Sequence, residues 1–141
     1  MDQKYLHQLT AKTIIKKPIE TVWHHWNHPA SIVQWNIPFP DWHCPQAINH
    51  LYVGGQFLYQ MEKQDGSEGF NYTGKYDSII PHQRIETTGD DGRKTIVEFF
   101  ADPSGTLILE TFEADPHTPL AIQQEFTHSV LNNFKKFVEG T

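Results

Sequence analysis

The chain holds one cysteine, Cys44, in 141 residues. That excludes an intramolecular disulfide and every paired-thiol redox or metal motif, and it suits a reducing compartment. Basic residues are also scarce: 11 Lys and Arg against 17 Asp and Glu leave a net charge of −6. Phosphate-backbone binding needs clustered cations, whereas the lysine pairs Lys16–Lys17 and Lys135–Lys136 read as solvated surface, so nucleic acid is excluded as a partner. No apolar run approaches the ~18 residues of a membrane helix, so no membrane insertion is expected. Met1-Asp2-Gln3-Lys4 lacks the basic-then-apolar order of an export signal, and the expected location is cytoplasmic. The sequon Asn71-Tyr72-Thr73 is then a chance match. A G-x-S-x-G elbow and a phosphate-cradling glycine loop are missing as well.

What the chain has instead is rings. Aromatic residues make up 13% of a sequence that is only 38% hydrophobic, so large rings must supply much of the buried area or line a cavity. The length fits one domain spanning residues 1–141, with a core that needs no staples. The longest periodic stretch, Thr118 to Val138, predicts a multi-turn helix, with Thr118 as cap and Pro119 at the first helical position. Its apolar stripe is Ile122, Phe126, Val130, Phe134 and Phe137, widened by Leu131 and Val138.

Ahead of that helix, Gln8–Lys16 alternates like a half-buried strand, Pro18 opens a short helix carrying Ile19, Val22, Trp23 and Trp26, and a second follows Pro29 with Ile32, Val33 and Trp35. Ile37–Pro45 reads as irregular. About six antiparallel strands come next, the first around Ala47–Val53, with turns marked by Asp65-Gly66, Pro81, Gly89-Asp90-Asp91-Gly92 and Ser104-Gly105. Alternation places Phe57, Tyr59 and Met61 on one face, as it does Phe70, Tyr72, Gly74 and Tyr76, and Thr95, Val97 and Phe99. In the last strand Ile108, Phe112 and Ala114 share a phase with Glu110, which would put a carboxylate in an apolar layer. The rival phase is Leu107, Leu109 and Thr111.

This β-α-α-β6-α order resembles the START-like helix-grip superfamily, also called SRPBCC. Lys17-Pro18-Ile19-Glu20-Thr21-Val22-Trp23 with Pro29 and Trp35 looks like its opening signature. Asp41-Trp42-His43-Cys44-Pro45, Leu51-Tyr52-Val53-Gly54-Gly55-Gln56-Phe57 and Asn132-Asn133-Phe134-Lys135-Lys136-Phe137 look like the subgroup named after the activator of the heat-shock chaperone ATPase. The resemblance runs from about Leu9 to Glu139. It implies an α+β fold in which a curved antiparallel sheet wraps a long C-terminal helix, with a cavity between them for a lipid, polyketide or flavonoid-like molecule. Some relatives are cyclases or hydrolases. The chaperone role belongs to a two-domain protein whose other domain has no room here, so a chaperone contact is discounted. Phe126 stands where many relatives carry Trp.

The expected partner is therefore a small apolar or aromatic molecule, and the alternative is a cyclase- or hydrolase-type enzyme with Glu110 as acid or base. The candidate contacts are Trp35, Phe57, Tyr59, Met61, Phe70, Tyr72, Phe99, Glu110, Phe112, Phe126 and Val130, with Trp42 and His43 as a rim. Glu110 also has bland readings, an edge salt bridge or an exposed position. His24 and His28 have the four-residue spacing of a metal pair, but no third ligand is identifiable and Pro29 breaks the helix there, so neither metal nor other cofactor is expected. Adjacent strand residues point to opposite faces, which denies His43-Cys44 a nucleophile–base geometry and leaves a packed thiol as the other reading of that segment.

Overall fold

Alternating side chains need two environments, and the sheet supplies them: a concave face turned to the helices and a convex face turned to water. A computed structural model describes residues 7–141, so the reading of Met1–Lys4 lies outside it. Its elements are β1 (Gln8–Ile15), α1 (Ile19–Asn27), α2 (Pro29–Trp35), β2 (Trp42–Asn49), β3 (Gln56–Lys63), β4 (Gly69–Ile80), β5 (Arg84–Gly89), β6 (Lys94–Asp102), β7 (Gly105–Glu113) and α3 (Leu120–Glu139). The strands form one antiparallel sheet in the order β1-β7-β6-β5-β4-β3-β2. Only β1 is out of sequence order, because α1 and α2 carry the chain from one edge to the other. The sheet curls as a half-barrel around α3, which packs along β1, while α2 packs against β2 and α1 lies over β6 and β7. This is the expected α+β helix-grip fold. No described helix is long and apolar enough to cross a membrane.

The core is sealed where the C-terminal half of α3 meets α1, α2 and β1. Phe134 is fully buried, with its ring 5.0 Å from Trp26 and 4.8 Å from Trp35, both edge-on. Leu131 and Val138 are buried beside it, as are Ile15, Val22 and Ile32. Polar side chains pin the helix to its neighbours: Gln124 Nε2 donates to the Thr10 carbonyl at 2.7 Å, Lys135 Nζ to the Ile14 carbonyl at 2.5 Å, and Asn133 Nδ2 to the Ile37 carbonyl. At Gly74 any Cβ would sit 2.7 Å from the Phe57 ring and from the Thr88 carbonyl. Glycine there lets Phe57 lie flat across β4.

Several expectations need correction. Thr118 does not cap α3: its hydroxyl donates to Asp115 Oδ2 at 2.9 Å, and the helix starts from the carbonyl of Pro119, one position before Leu120. The Gln123 side chain braces this entrance, bonding the Asp115 amide and the carbonyls of Asp115 and Thr118. Ile122 leaves the buried stripe and is 53% exposed, because the first turns of α3 project beyond the sealed core. The Ile37–Pro45 segment is ordered from Trp42, where β2 begins, and that strand ends at Asn49 rather than Val53.

Truncating the ring at the centre of the sealed end should be costly. Phe134→Ala is expected to destabilise the protein by about 3–5 kcal/mol, while Ile122→Ala should stay within about 0.5 kcal/mol. Urea unfolding measures both, and comparable losses would mean that the core is not centred on Phe134.

Candidate functional site

Toward the N-terminal half of α3 the packing opens. An inner chamber of about 130 Å³ lies between the helix and the sheet. Phe57, Tyr59 and Met61 of β3, Tyr72 and Tyr76 of β4 and Val97 of β6 line it from the sheet, Phe126, Thr127 and Val130 from α3, and Trp26, Trp35 and Asn36 from the two short helices. It joins an outer chamber of about 600 Å³ bordered by Phe70, Phe112, Ile122 and a set of charged residues. Five residues line both: Tyr72, Thr95, Glu110, Phe126 and Thr127. They form the neck.

The walls are rings in mutual contact. Phe57 stacks on Tyr59 at 5.1 Å and meets Tyr72 edge-on at 5.2 Å, and Trp26 stacks on Trp35 at 4.9 Å. Most polar tips are engaged. Trp35 Nε1 donates to the His25 carbonyl at 2.9 Å, and the Tyr76 hydroxyl donates to Asn49 Oδ1. The Tyr59 and Tyr76 phenols face each other, and the Tyr72 phenol faces the Thr95 hydroxyl. Burial pushes all three phenols above their usual range. They enter any site as neutral groups.

Glu110 differs. Its backbone is fixed on both sides, opposite Ala11 of β1 and Val97 of β6, and the inward phase of β7 is the one containing Thr106 and Ile108, both fully buried. The rival phase faces outward. Among the described residues no side chain or amide is recorded as a hydrogen-bond or ion-pair partner of its carboxyl, and burial alone raises its pKa from 4.5 to about 7. Glu110 and Tyr72 keep some accessible surface, which lines the chambers; protein encloses the rest, so desolvation governs their titration. Asn36, 7% exposed, is a second such group: its side-chain amide has no hydrogen-bond partner among the described residues.

Of the candidate contacts read from the sequence, Trp35, Phe57, Tyr59, Met61, Tyr72, Glu110, Phe126 and Val130 line the inner chamber, and Phe70 and Phe112 the outer. Three fall elsewhere. Phe99 points inward as expected, but Trp23 at 5.2 Å and Trp26 at 6.1 Å enclose it. Trp42 lies 5.9 Å from Phe70 without reaching either chamber, and His43 turns to the convex face to bond Glu62 Oε1 at 2.9 Å. Cys44, the next residue along β2, faces the other way, and its thiol is buried and pushed up to about 11. No thiolate nucleophile results. His24 and His28 stack on each other at 4.9 Å, and no metal-binding group is found among the described residues. Sequence reasoning did not select Trp26, Asn36, Tyr76 or Thr127. Tyr76 was readable by its phase with Tyr72, while Asn36, at the end of α2, carried no periodic signal.

The family model described as activator of Hsp90 ATPase homolog 1-like protein matches residues 16–139. The chain belongs to this family. It is 37% identical to an AHSA1-like protein from Aeromonas hydrophila over 95% of this chain and 93% of that one, with a TM-score of 0.89. It is likewise 37% identical to Chr148 from Cytophaga hutchinsonii over 94% and 92%, with a TM-score of 0.82. Protein NE0264 from Nitrosomonas europaea, at 18% identity over 99% and 97% with a TM-score of 0.82, shows the shared START-like fold alone. Comparison with curated proteins gives no match. Membership in the activator-like family thus establishes the architecture, and the site must be argued from its own residues.

The Glu110 carboxyl makes stability depend on pH in an unusual direction. Its raised pKa adds stability below about 4.5, and this is lost as pH rises through about 7, a difference of about 3 kcal/mol. Glu110→Gln should therefore match the wild type at pH 4.5 and exceed it in urea unfolding at pH 8. Equal stabilities at both pH values would show that the carboxyl is solvated like a surface group.

Proposed function

We propose that the protein binds a small apolar or aromatic molecule between the sheet and α3, with one ring in the inner chamber and the remainder in the outer one. The observation that carries this reading is the neck: ring-walled chambers meet at a carboxyl that has no hydrogen-bond or ion-pair partner among the described residues. Ligand sites are mostly apolar concavities of about 300–1,000 Å³ with a few placed polar groups, and the outer chamber, at about 600 Å³, falls in that range. Phe70, Tyr72 and Ile122 remain more than one-third exposed around it, which offers a ligand apolar surface at the entrance.

A second reading is favoured by the burial of Glu110, which pushes its carboxyl up to about 7. A buried acid in that range can deliver or accept a proton at neutral pH, so turnover of a bound carbonyl or ester compound by a cyclase- or hydrolase-type step is the alternative. Contact with the heat-shock chaperone rests on the family description alone, and that role stays with the proteins it was given to.

Titration with a flavanone-like probe should raise the melting temperature and shift the NMR signals of Phe57, Tyr72 and Phe126, and Phe126→Ala should change the affinity. Shifts restricted to exposed turns, or an affinity indifferent to Phe126, would remove the ligand-binding reading. If a turned-over compound is found, Glu110→Gln should abolish turnover and spare the affinity for neutral compounds; a variant that still turns over excludes Glu110 as the acid or base.

A further inference from the structure

We propose that the paired chambers select a ligand carrying a protonated or quaternary amine. This rests on the ligand-binding reading and names the charge of the ligand.

Two features of separate origin point the same way. The first is the inner chamber, which among the described residues no Lys, Arg or His lines. Its walls present the rings of Trp26, Trp35, Phe57 and Tyr72, and Glu110 is the one carboxyl among the described residues that line it. Aromatic faces attract cations, most strongly where water is excluded. A carboxylate ligand would place two acids in one poorly solvated space, which disfavours ionising both. An ammonium group instead meets ring faces and a counter-charge together, and it supplies Glu110 with the partner that the fold does not.

The second feature is the entrance. The outer chamber is bordered by Asp90, Asp91, Glu113 and Asp115, with Arg93 as the single basic residue among the described ones that line it. Arg93 Nε is already bonded to Asp91 Oδ2 at 2.6 Å. A mouth of that sign draws cations inward and repels anions. Size agrees as well. At about 130 Å³ the inner chamber is close to the ~150 Å³ void that admits benzene, so it holds one ring or one compact ammonium head.

The titration that reports binding belongs to Glu110. Among the described residues no histidine lines either chamber. Of the groups facing it, the Tyr59, Tyr72 and Tyr76 phenols are pushed upward by burial. At the rim, Asp91 is held low by the Arg93 amide and guanidinium despite its own burial, and Asp115 by the His117 amide. An amine entering below pH 7 must therefore displace the Glu110 proton.

Calorimetry with phenylpropylamine, phenylpropanol and phenylpropanoate, between pH 5 and 8, tests this on the wild type and on Glu110→Gln. The amine should bind most tightly at pH 8, weaken by up to about tenfold per unit below pH 7 and release a proton as it binds. Glu110→Gln should lose that preference and its pH dependence while still binding the alcohol, which also shows that the variant is folded. An alcohol as tight as the amine at pH 8, or a carboxylate tighter than both, overturns the amine inference and leaves the ligand-binding reading standing. Failure of all three to bind at millimolar concentration overturns both.

Discussion

Everything about the site follows from how far apolar packing extends along β7 and α3. The inward row of β7 begins with Thr106 and Ile108, both fully buried, and continues through Glu110 and Phe112, which are only partly covered. Along α3 the same gradient runs from Val138, Phe134 and Leu131, all sealed, to Ile122, which is mostly exposed. The sealed end is filled by rings from α1 and α2 that interlock with Phe134. At the open end the rings of β3 and β4 pack on one another instead, Phe57 on Tyr59 and Tyr72. Rigid rings facing one another across a curved sheet cannot collapse inward without leaving their rotamers, so space remains.

That constraint also explains what the sequence disclosed. Period-two alternation depends only on backbone geometry, so it located the concave faces of β3, β4, β6 and β7 and brought Glu110 inward. The period of α3 was equally plain from Phe126 to Val138. Alternation cannot say how deep a residue lies once it points inward: Phe99 and Val97 share a phase, yet Trp23 and Trp26 close over Phe99 while Val97 borders the chamber. Nor does it survive a bulge. His43 and Cys44 still face opposite sides as alternation requires, but the shift between His43 and Gln46 sets Gln46 opposite Gln60 and Ala47 opposite Tyr59, out of phase with the start of β2. The α3 entrance failed for another reason. Asp115 and Gln123 compete for the local donors and acceptors, and Thr118 is drawn into their network instead of capping the helix.

The inner wall furthest from the sheet was the least legible part. Trp26, Trp35 and Asn36 reach the chamber because α1 and α2 cross between the two edges of the sheet, a placement set by tertiary packing. In sequence those residues form two short apolar stripes of the sort any core would use. Trp35 was already a candidate contact, but the chamber-facing role of Trp26 and Asn36 becomes visible only once α1 and α2 are packed with Phe134 against the tryptophan pair.

A carboxyl in this position works against the fold. Gln occupies nearly the same volume without the desolvation penalty, and Leu or Met would add apolar burial to the surrounding rings. Among the described residues no arginine, lysine or amide compensates the carboxyl, unlike Glu139, whose carboxylate is held low first by Lys135 and then by the Lys16 amide. Both residues are glutamates, so side-chain type alone does not separate them. What separates them is that Glu139 acts within the protein, tying α3 to the end of β1, while Glu110 faces a space that the protein leaves open. Stability does not account for the second glutamate, whereas a ligand of the kind proposed would give it a partner.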